Sequence, residues 1–174
     1  MEEIRMRLIQ NEDYKELFAV IERNRLRLTN FFPTTTHTVL DIVTAKKFTE
    51  QKVRQAIKKE QYYFVVTLQS SGKIIGSIIL KNIDWSIPKG EFAYFIDEAY
   101  EGKGITSKAI KWLTNHAFTE LGMLKLYIKI NPENWGSKKV ALNNGFELEG
   151  LLKSEFRTGL GALTDVERYG LLRK

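Results

Sequence analysis

The feature that most constrains this chain is a strand that runs into a turn with two glycines and then into a helix. Residues 91–109 read E-F-A-Y-F-I-D-E-A-Y-E-G-K-G-I-T-S-K-A. The aromatic run at 92–96 is typical of a buried strand, and the segment after Gly104 is typical of a helix. The first turn of a helix presents unpaired backbone N–H groups and the positive end of the helix dipole. With Gly102 and Gly104 beside it, this turn is suited to hold a phosphate or pyrophosphate.

An isolated G-x-G is a weak signal on its own, because it also occurs in strand-to-helix turns that bind nothing. Two better-known phosphate motifs do not fit this turn. A dinucleotide-binding turn reads G-x-G-x-x-G, and no third glycine follows at that spacing here. A P-loop reads G-x-x-x-x-G-K-[ST], which the chain lacks. The rest of the chain therefore has to decide what the turn binds.

Residues 101–106 resemble the acetyl-CoA pyrophosphate loop of the GNAT family of N-acetyltransferases, which reads [QR]-x-x-G-x-[GA]. Glu101 stands where Gln or Arg is usual, and Thr106 stands where Gly or Ala is usual. Further on, N-x-x-S at residues 134–137 and G-F at residues 145–146 resemble the N-x-x-[AS]…G-F block of the same family. The resemblance covers nearly the whole chain. It is strongest to the RimJ/RimL group, which acetylates the N-termini of ribosomal proteins.

The resemblance implies that acetyl-CoA is the cosubstrate and that no metal ion takes part. It also implies a set of cofactor-binding residues on the strand, on the turn and in a later turn. They are Ala93, Tyr94, Phe95, Glu101, Gly102, Lys103, Gly104, Ile105, Thr106, Ser107, Asn134 and Ser137. Asn134 would hydrogen-bond the pantetheine arm, and it is also a suitable N-cap for the helix that follows.

Acetyl transfer to an amine requires a proton acceptor, a polarised thioester carbonyl and a stabilised thiolate leaving group. The resemblance implies that the Ser137 hydroxyl donates to the thiolate, because Ala141 occupies the position where many family members have a tyrosine. Glu91 is the first candidate for the general base, with a bound water or another carboxylate as the alternative. A backbone N–H near Ala93 or Tyr94 would polarise the carbonyl if the strand carries a bulge there.

Aromatic residues mark a candidate entrance for the acceptor. Phe31 and Phe32 precede Pro33, at a position where the subgroup has a segment that borders the substrate entrance. Two aromatic residues in a loop before a proline favour a binding surface, and Trp85 is a similar candidate. We expect these three aromatic residues to contact the acceptor.

The leading hypothesis is an enzyme that acetylates a protein N-terminus, with ribosomal proteins as the candidate class. One alternative is the same chemistry on a small amine such as a polyamine, an amino acid or an aminoglycoside, because fold and cofactor site do not fix the acceptor. Another is a binding module with a degenerate CoA site and a basic surface for nucleic acid. No recognised RNA-binding signature supports that second alternative. An acetyl-CoA turnover assay separates the classes.

Composition sets wider limits. The chain has 174 residues, which favours a single domain over residues 1–174, and it has no cysteine, which excludes disulfides and thiolate chemistry. Its net charge of +6 favours anionic partners. The N-terminus has no apolar signal region and no run is long enough to span a membrane, so we expect a cytoplasmic protein without a membrane partner. A homodimer is left open.

The periodicity along the chain gives the element order β-α-α-β-β-β-α-β-α-β-β. We expect strands at 4–10, 62–68, 73–84, 90–97, 124–131, 146–156 and 164–172, and helices after Asn11, at 38–60, at 106–121 and ending near 144. The 38–60 helix is expected to break near Lys46 and Lys47 and to bury Leu40, Val43, Val53, Ala56 and Ile57. The resemblance implies a GNAT-like α/β fold whose mixed, mostly antiparallel sheet has helices on its faces and splayed strands at 90–97 and 124–131.

Overall fold

The computed structural model describes residues 3–174 of the chain. Over this part it has the strands β1 (Ile4–Leu8), β2 (Tyr62–Leu68), β3 (Ile74–Asp84), β4 (Lys89–Ile96), β5 (Lys125–Ile130), β6 (Glu147–Arg157) and β7 (Leu163–Leu172). The α-helices are α1 (Tyr14–Arg23), α2 (Arg25–Thr29), α3 (Pro33–Thr38), α4 (Ile42–Ile57), α5 (Ile105–Thr119) and α6 (Trp135–Asn143). Strands fall where alternating or β-branched runs predict them.

The strands form one sheet in the order β1-β2-β3-β4-β5-β7-β6. Every neighbouring pair is antiparallel except β4 and β5, which are parallel. A parallel neighbour requires a crossover, and α5 makes that crossover between β4 and β5. The predicted mixed, mostly antiparallel α/β fold is confirmed.

Helices cover the sheet unequally. On one face, which we call the α5 face, a core of α5 and α6 side chains packs on strands from β2 to β7. On the opposite face, which we call the α4 face, a second core packs α1, α2 and α4 on β2, β3 and β4. Among the described residues, none from β5, β6 or β7 belongs to this second core. The α4 face of the three C-terminal strands is therefore not covered by that core.

The N-terminal helical region differs from the prediction. Residues 14–38 form three short helices, and the first break lies at Asn24, whose Nδ2 donates to the carbonyl of Val20 at 2.8 Å. Pro33 begins α3, where its missing N–H costs nothing. Helix α4 begins after the N-cap Asp41 and runs without the break that was expected near Lys46 and Lys47.

The expected buried face of α4 is wrong for three of its five residues. Leu40 lies before the N-cap, and Val43 and Ile57 are exposed. The buried stripe instead contains Ala45, Phe48 and Thr49, and the partly buried Val53 and Ala56 continue it at helical spacing. At 3.6 residues per turn, Val43 and Ile57 lie to the side of the face that this stripe occupies.

The pairing between β4 and β5 is short. Four residue pairs join the strands, from Lys89 with Lys125 to Phe92 with Ile128. After Phe92 the next four residues of β4 pair with β3 on one side and with no strand on the other. This is the splay that the resemblance implies, and it opens the centre of the sheet.

Candidate active site

The free edge of β4 is the centre of the candidate site. Residues 93–96 present the main-chain groups of one edge to a gap, because the partner strand β5 turns away to pair only with β7. Edge groups of this kind are available to hydrogen-bond an extended ligand. Ala93 and Phe95 direct their side chains to the α4 face, while Tyr94 packs against the core on the α5 face. Asp97 N–H donates to the carbonyl of Ile75 on β3, and the hydrogen-bonding direction alternates along an antiparallel pair, so Tyr94 and Ile96 turn their main-chain groups toward the gap.

The glycine turn lies at the end of this edge. Gly102 and Gly104 both have φ of +71°, a left-handed conformation that strains other residues, and Gly104 is the N-cap of α5. Within the described residues, no atom lies within 4 Å of where a Cβ would stand on either glycine. The helix begins one residue earlier than expected, at Ile105, whose buried side chain fixes the turn to the core. The turn thus presents open backbone at the N-terminus of a helix of 15 residues.

Side chains around the turn are held by nearby groups. Lys103 donates to the carbonyl of Ala99 at 2.9 Å. Ser107, expected to bind the cofactor, accepts a hydrogen bond from Asn144 of α6 at 2.9 Å. Glu101, the acidic departure from the family pattern, is in ionic contact with Arg27 of α2. Thr106 is half-buried in the first turn of α5. The turn therefore joins α5 to α2 and α6.

The first turn of α6 lies across the gap from β4. Asn134 is the N-cap, and its Oδ1 accepts from the backbone N–H of Ser137 at 3.0 Å. The hydroxyl of Tyr94 donates to the backbone carbonyl of Ser137 at 3.3 Å. Burial raises the pKa of Tyr94 to about 12, against the opposing effect of a hydrogen bond with the Ser137 side chain. Tyr94 therefore stays protonated at neutral pH and connects the free strand to the half-buried Ser137.

The α4 face beside the gap is charged. Glu91 is buried, and its carboxylate accepts from Asn82 Nδ2 at 2.9 Å and pairs with Lys81 at 3.3 Å. Glu91 lies in register with Tyr127 of β5. The buried Glu91 is therefore held between β3 and β5, on the opposite face from Ser137.

More ion pairs follow on β5, β6 and β7. Lys129 is paired with Glu155, and the guanidinium of Arg168 lies 4.1 Å from the ring centroid of Tyr127. Burial acts to lower the pKa of Lys129, but the hydrogen bond to Glu155 and the negative charges of Glu91 and Glu155 together leave the pKa raised. The same hydrogen bond lowers the pKa of Glu155. Glu149 is paired with Arg168 and with Lys125.

The bulge expected near Ala93 or Tyr94 is not there. The β3–β4 register runs without a shift from Ile96 to Glu91. The irregularity lies on β3 between Lys81 and Asp84, where Asn82 has φ of +49°. This places the amide of Asn82 against Glu91, so the bulge orients a carboxylate rather than a backbone N–H.

Comparison with known proteins places the chain in a family. The family described as Acetyltransferase (GNAT) domain matches residues 3–147. The chain belongs to the GNAT acetyltransferase family. The expected resemblance is therefore confirmed over most of the sequence.

Curated relatives fall into different substrate groups. The chain is 31% identical over 113 residues to an N-acetyltransferase of Bacillus subtilis (YjcK), covering 64% of this chain and 62% of that protein. It is 38% identical over 99 residues to the ribosomal-protein-serine acetyltransferase of Escherichia coli, covering 56% of this chain and 54% of that one. It is also 33% identical over 93 residues to the spermidine N(1)-acetyltransferase of Escherichia coli, covering 53% and 49%. The chain thus spans less than two thirds of the length of each.

Solved structures match over nearly the whole chain. The ribosomal-protein-S5-alanine acetyltransferase of Vibrio fischeri is 27% identical with a TM-score of 0.91, covering 99% of this chain and 94% of that one. A RimL structure, a ribosomal L7/L12 N-acetyltransferase in complex with coenzyme A, is 20% identical with a TM-score of 0.89, covering 97% and 93%. Both share the fold of this GNAT domain.

The three aromatic residues proposed for the acceptor are not together in this GNAT domain. Phe32 is half-buried with its ring 5.5 Å from that of Phe95, while Phe31 is exposed. Trp85 donates from Nε1 to the carbonyl of Lys59, just past the C-terminal end of α4. Phe32 precedes the N-terminal end of that helix, which has 16 residues and is therefore about 24 Å long. Phe31 and Phe32 lie near the free edge, and Trp85 lies at the other end of α4.

Four residues near the site were missed by sequence reasoning: Arg27, Lys129, Glu155 and Arg168. The alternation of β5 could have placed Lys129 on an open face, because Lys125, Tyr127 and Lys129 alternate with apolar residues. Its partner Glu155 is 26 residues away, and no local pattern indicates that contact. The pairing of β5 with β7 and of β7 with β6 brings them together.

Within residues 3–174, no group of three or more His, Asp or Glu side chains is placed to hold a metal ion. In the same part of the chain, no helix combines the length and apolar character that a membrane crossing requires.

Proposed function

We propose that this chain transfers an acetyl group from acetyl-CoA to the α-amine of a protein N-terminus, with ribosomal proteins as the leading class of acceptor. The observation that carries the proposal is the free β4 edge at 93–96, which ends at the glycine turn opening α5. An extended cofactor arm fits such an edge, and a pyrophosphate fits such a turn. Membership of the GNAT family supports the assignment.

The residues present fit acetyl-CoA, which would supply the acetyl group as an activated thioester. The open backbone of 102–107 would hold the pyrophosphate, and the free edge at 93–95 would hold the pantetheine arm. The Oδ1 of Asn134 caps α6, and its amide nitrogen makes no hydrogen bond to any described residue, so it is able to donate to that arm. One asparagine would then both fix the turn and bind the ligand.

Ser137 and Tyr94 are placed to act on the leaving group. Both hydroxyl groups lie on the α5 face of the gap, next to the first turn of α6. Tyr94, with a pKa of about 12, remains a hydrogen-bond donor throughout the neutral range. Ser137 would donate to the thiolate, and Tyr94 would hold Ser137 in place. This assigns a donor to the role that Ala141 leaves vacant.

Two carboxylates on the α4 face are candidates for the proton acceptor. Glu91 lies closest to the gap, but only 8% of its side chain is exposed, so it would reach an amine through a bound water. Glu155 has 39% of its side chain exposed, and its carboxylate is paired with Lys129. The hydrogen bond from Lys129 lowers the pKa of Glu155, so this carboxylate is ionised and able to accept a proton but is a weaker base. Glu91 acting through water remains the first proposal, and exposure favours Glu155 as the second.

The charges on the α4 face favour a peptide over a polyamine. Beside the gap, the cations Lys81, Lys125, Lys129 and Arg168 outnumber the carboxylates Glu91, Glu149 and Glu155. A polycation such as spermidine would be held by an excess of carboxylates, which this face does not have. A neutral or acidic peptide is not repelled by an excess of cations. The small-amine alternative is supported by the identity to the spermidine acetyltransferase.

The test is release of CoA from acetyl-CoA by the full chain, with a panel of acceptors. The panel contains peptides with free N-terminal Ser or Ala, the same peptides with a blocked α-amine, and spermidine. We expect turnover with the free peptides and none with the blocked ones, even when they contain lysine. Faster turnover of spermidine or of lysine side chains would replace the peptide proposal with the small-amine alternative. No CoA release with any acceptor, together with no CoA binding, would overturn the enzyme itself.

A further inference from the structure

Polar side chains at the junction of α1 and α2 bind the segment that leads into the glycine turn. Arg23 donates to the Asp97 carboxylate at 2.9 and 3.1 Å. Burial works to raise the pKa of Asp97, but the hydrogen bonds from Arg23 and other donors leave it lowered. Asn24 accepts from the backbone N–H of Glu98 at 3.0 Å. We call Arg23, Asn24 and Arg27 the α1–α2 clamp.

Arg27 makes the most contacts of the clamp. Its guanidinium donates to the carboxylate of Glu101, to the backbone carbonyl of Ile96 and to Asn24 Oδ1, the last at 2.9 Å. Ile96 is the last residue of the free β4 edge, and Glu101 directly precedes Gly102. One side chain thus binds both ends of the segment between the pantetheine edge and the pyrophosphate turn.

The charge of Glu101 gives this contact a consequence for the cofactor. A carboxylate next to an anion-binding turn would repel a pyrophosphate, and side-chain exposures of 33% for Arg27 and 47% for Glu101 leave that field only partly screened by water. The positive charge of Arg27, in ionic contact with Glu101, offsets the negative charge of that carboxylate. Glu101 is tolerated beside the turn because α2 supplies the opposite charge.

We propose that Arg27 is a positioning residue for acetyl-CoA, which neutralises Glu101 and fixes the segment 96–101 so that the glycine turn accepts the pyrophosphate. The inference rests on the proposed CoA site. It predicts that the need for Arg27 depends on the charge at residue 101. A purely structural arginine would be needed whatever residue stood there.

The experiment is calorimetric titration of CoA into the full-length wild type and four variants: Arg27→Gln, Glu101→Gln, the double variant, and Lys46→Gln as a control that removes an exposed cation on α4. Arg27→Gln should weaken CoA binding about tenfold, the order expected for one uncovered charge near an anion at a protein surface. Glu101→Gln should bind CoA more tightly than the wild type, because it removes a carboxylate beside the pyrophosphate and leaves the charge of Arg27 in place. The double variant should return to within about threefold of the wild type, and Lys46→Gln should not change.

Steady-state kinetics add a second measure. Arg27→Gln should raise the KM for acetyl-CoA about tenfold and leave kcat at saturation unchanged, as expected for lost binding without lost chemistry. Arg27→Lys, which keeps the charge, should restore most of the affinity and serves if Arg27→Gln does not fold.

Several results would overturn the inference. They are a double variant as weak as Arg27→Gln, an unchanged Arg27→Gln, or a Glu101→Gln variant that binds more than about threefold more weakly. In each case the wild type still binds CoA and the proposed function stands. If the wild type itself binds no CoA, the proposed function fails and this inference fails with it.

Discussion

The two faces of the sheet at the β4–β5 gap are built from different kinds of groups. On the α5 face the candidate site is mostly main chain: the free edge of β4, two glycines with positive φ, and the first turns of α5 and α6. On the α4 face the groups around the gap are paired charged side chains from β3, β4, β5, β6 and β7. The α5 face is suited to a ligand that does not vary, such as a cofactor. The α4 face is suited to an acceptor whose charge and shape vary.

We infer that this difference would let members of one family share a cofactor and differ in acceptor. A main-chain cradle does not depend on which side chains surround it, so it persists when the sequence changes. The α4 face is set by individual residues, and a few substitutions would change its net charge. We propose that the acceptor is selected on that face, and the predictions below test each face separately.

The largest effect is expected for the leaving-group donor on the α5 face. Ser137→Ala should lower kcat by about 10- to 1000-fold, the range for losing a single hydrogen-bond donor to a developing charge. Affinity for acetyl-CoA should barely change. The measurements are steady-state kinetics and calorimetric titration, with Ser71→Ala in the β2–β3 turn as a control. A large loss of affinity with an intact kcat would make Ser137 a binding residue and would remove its catalytic role.

A smaller effect is expected for a change in the glycine turn. Gly104→Val would place a branched side chain at the N-cap of α5, in the space where we place the pyrophosphate. CoA affinity should fall at least tenfold, or about 1.4 kcal/mol. Valine at φ of +71° also strains the backbone, and Gly72→Val controls for this because Gly72 has φ of +72° and equally open surroundings. Equal CoA affinity in both folded variants would show that the turn is not the cofactor site.

The sequence predicts the main-chain part of the site better than it predicts the charged side-chain contacts. The glycine turn, the strand before it and the cap at Asn134 are local patterns, because each depends on backbone conformation within a few residues. The sequence therefore predicted the strands, the glycine turn and the helix after it nearly to the residue. The buried face of α4 was partly wrong because the apolar Leu40 and Val43 do not share a helical face with Val53 and Ala56, and the small or polar Ala45 and Thr49 occupy that face instead.

Contacts between distant residues could not be predicted in this way. Arg27 meets Glu101 across 74 residues, and Glu91 meets Asn82 only because a bulge in β3 turns that amide inward. Both contacts depend on how separate elements of the chain pack together, which a single sequence does not give. Trp85 was grouped with Phe31 and Phe32 because all three are aromatic residues expected outside regular elements, but Trp85 donates to Lys59 just past the end of α4, while Phe32 packs on Phe95.

The smallest effect is expected for the charge of the peptide, which we propose binds on the α4 face. Cations outnumber carboxylates beside the gap, and the whole chain carries a net charge of +6. A negatively charged peptide should therefore be drawn to this face and a positively charged one repelled. We expect acidic peptides with a free N-terminal Ser or Ala to have a kcat/KM several-fold higher than basic peptides of the same length, the modest gain typical of exposed charges.

Salt separates this attraction from direct recognition of particular side chains. The Debye length is about 8 Å at physiological ionic strength and about 3 Å at 1 M, so a long-range attraction should fade across that range. The acidic-to-basic ratio of kcat/KM should approach one as salt rises, while kcat for either peptide stays nearly constant. A ratio that does not respond to salt would mean that specific contacts select the peptide, and a preference for basic peptides at low salt would contradict the charge argument. In either case the predictions for Ser137 and Gly104 would stand, because they concern acetyl-CoA and not the peptide.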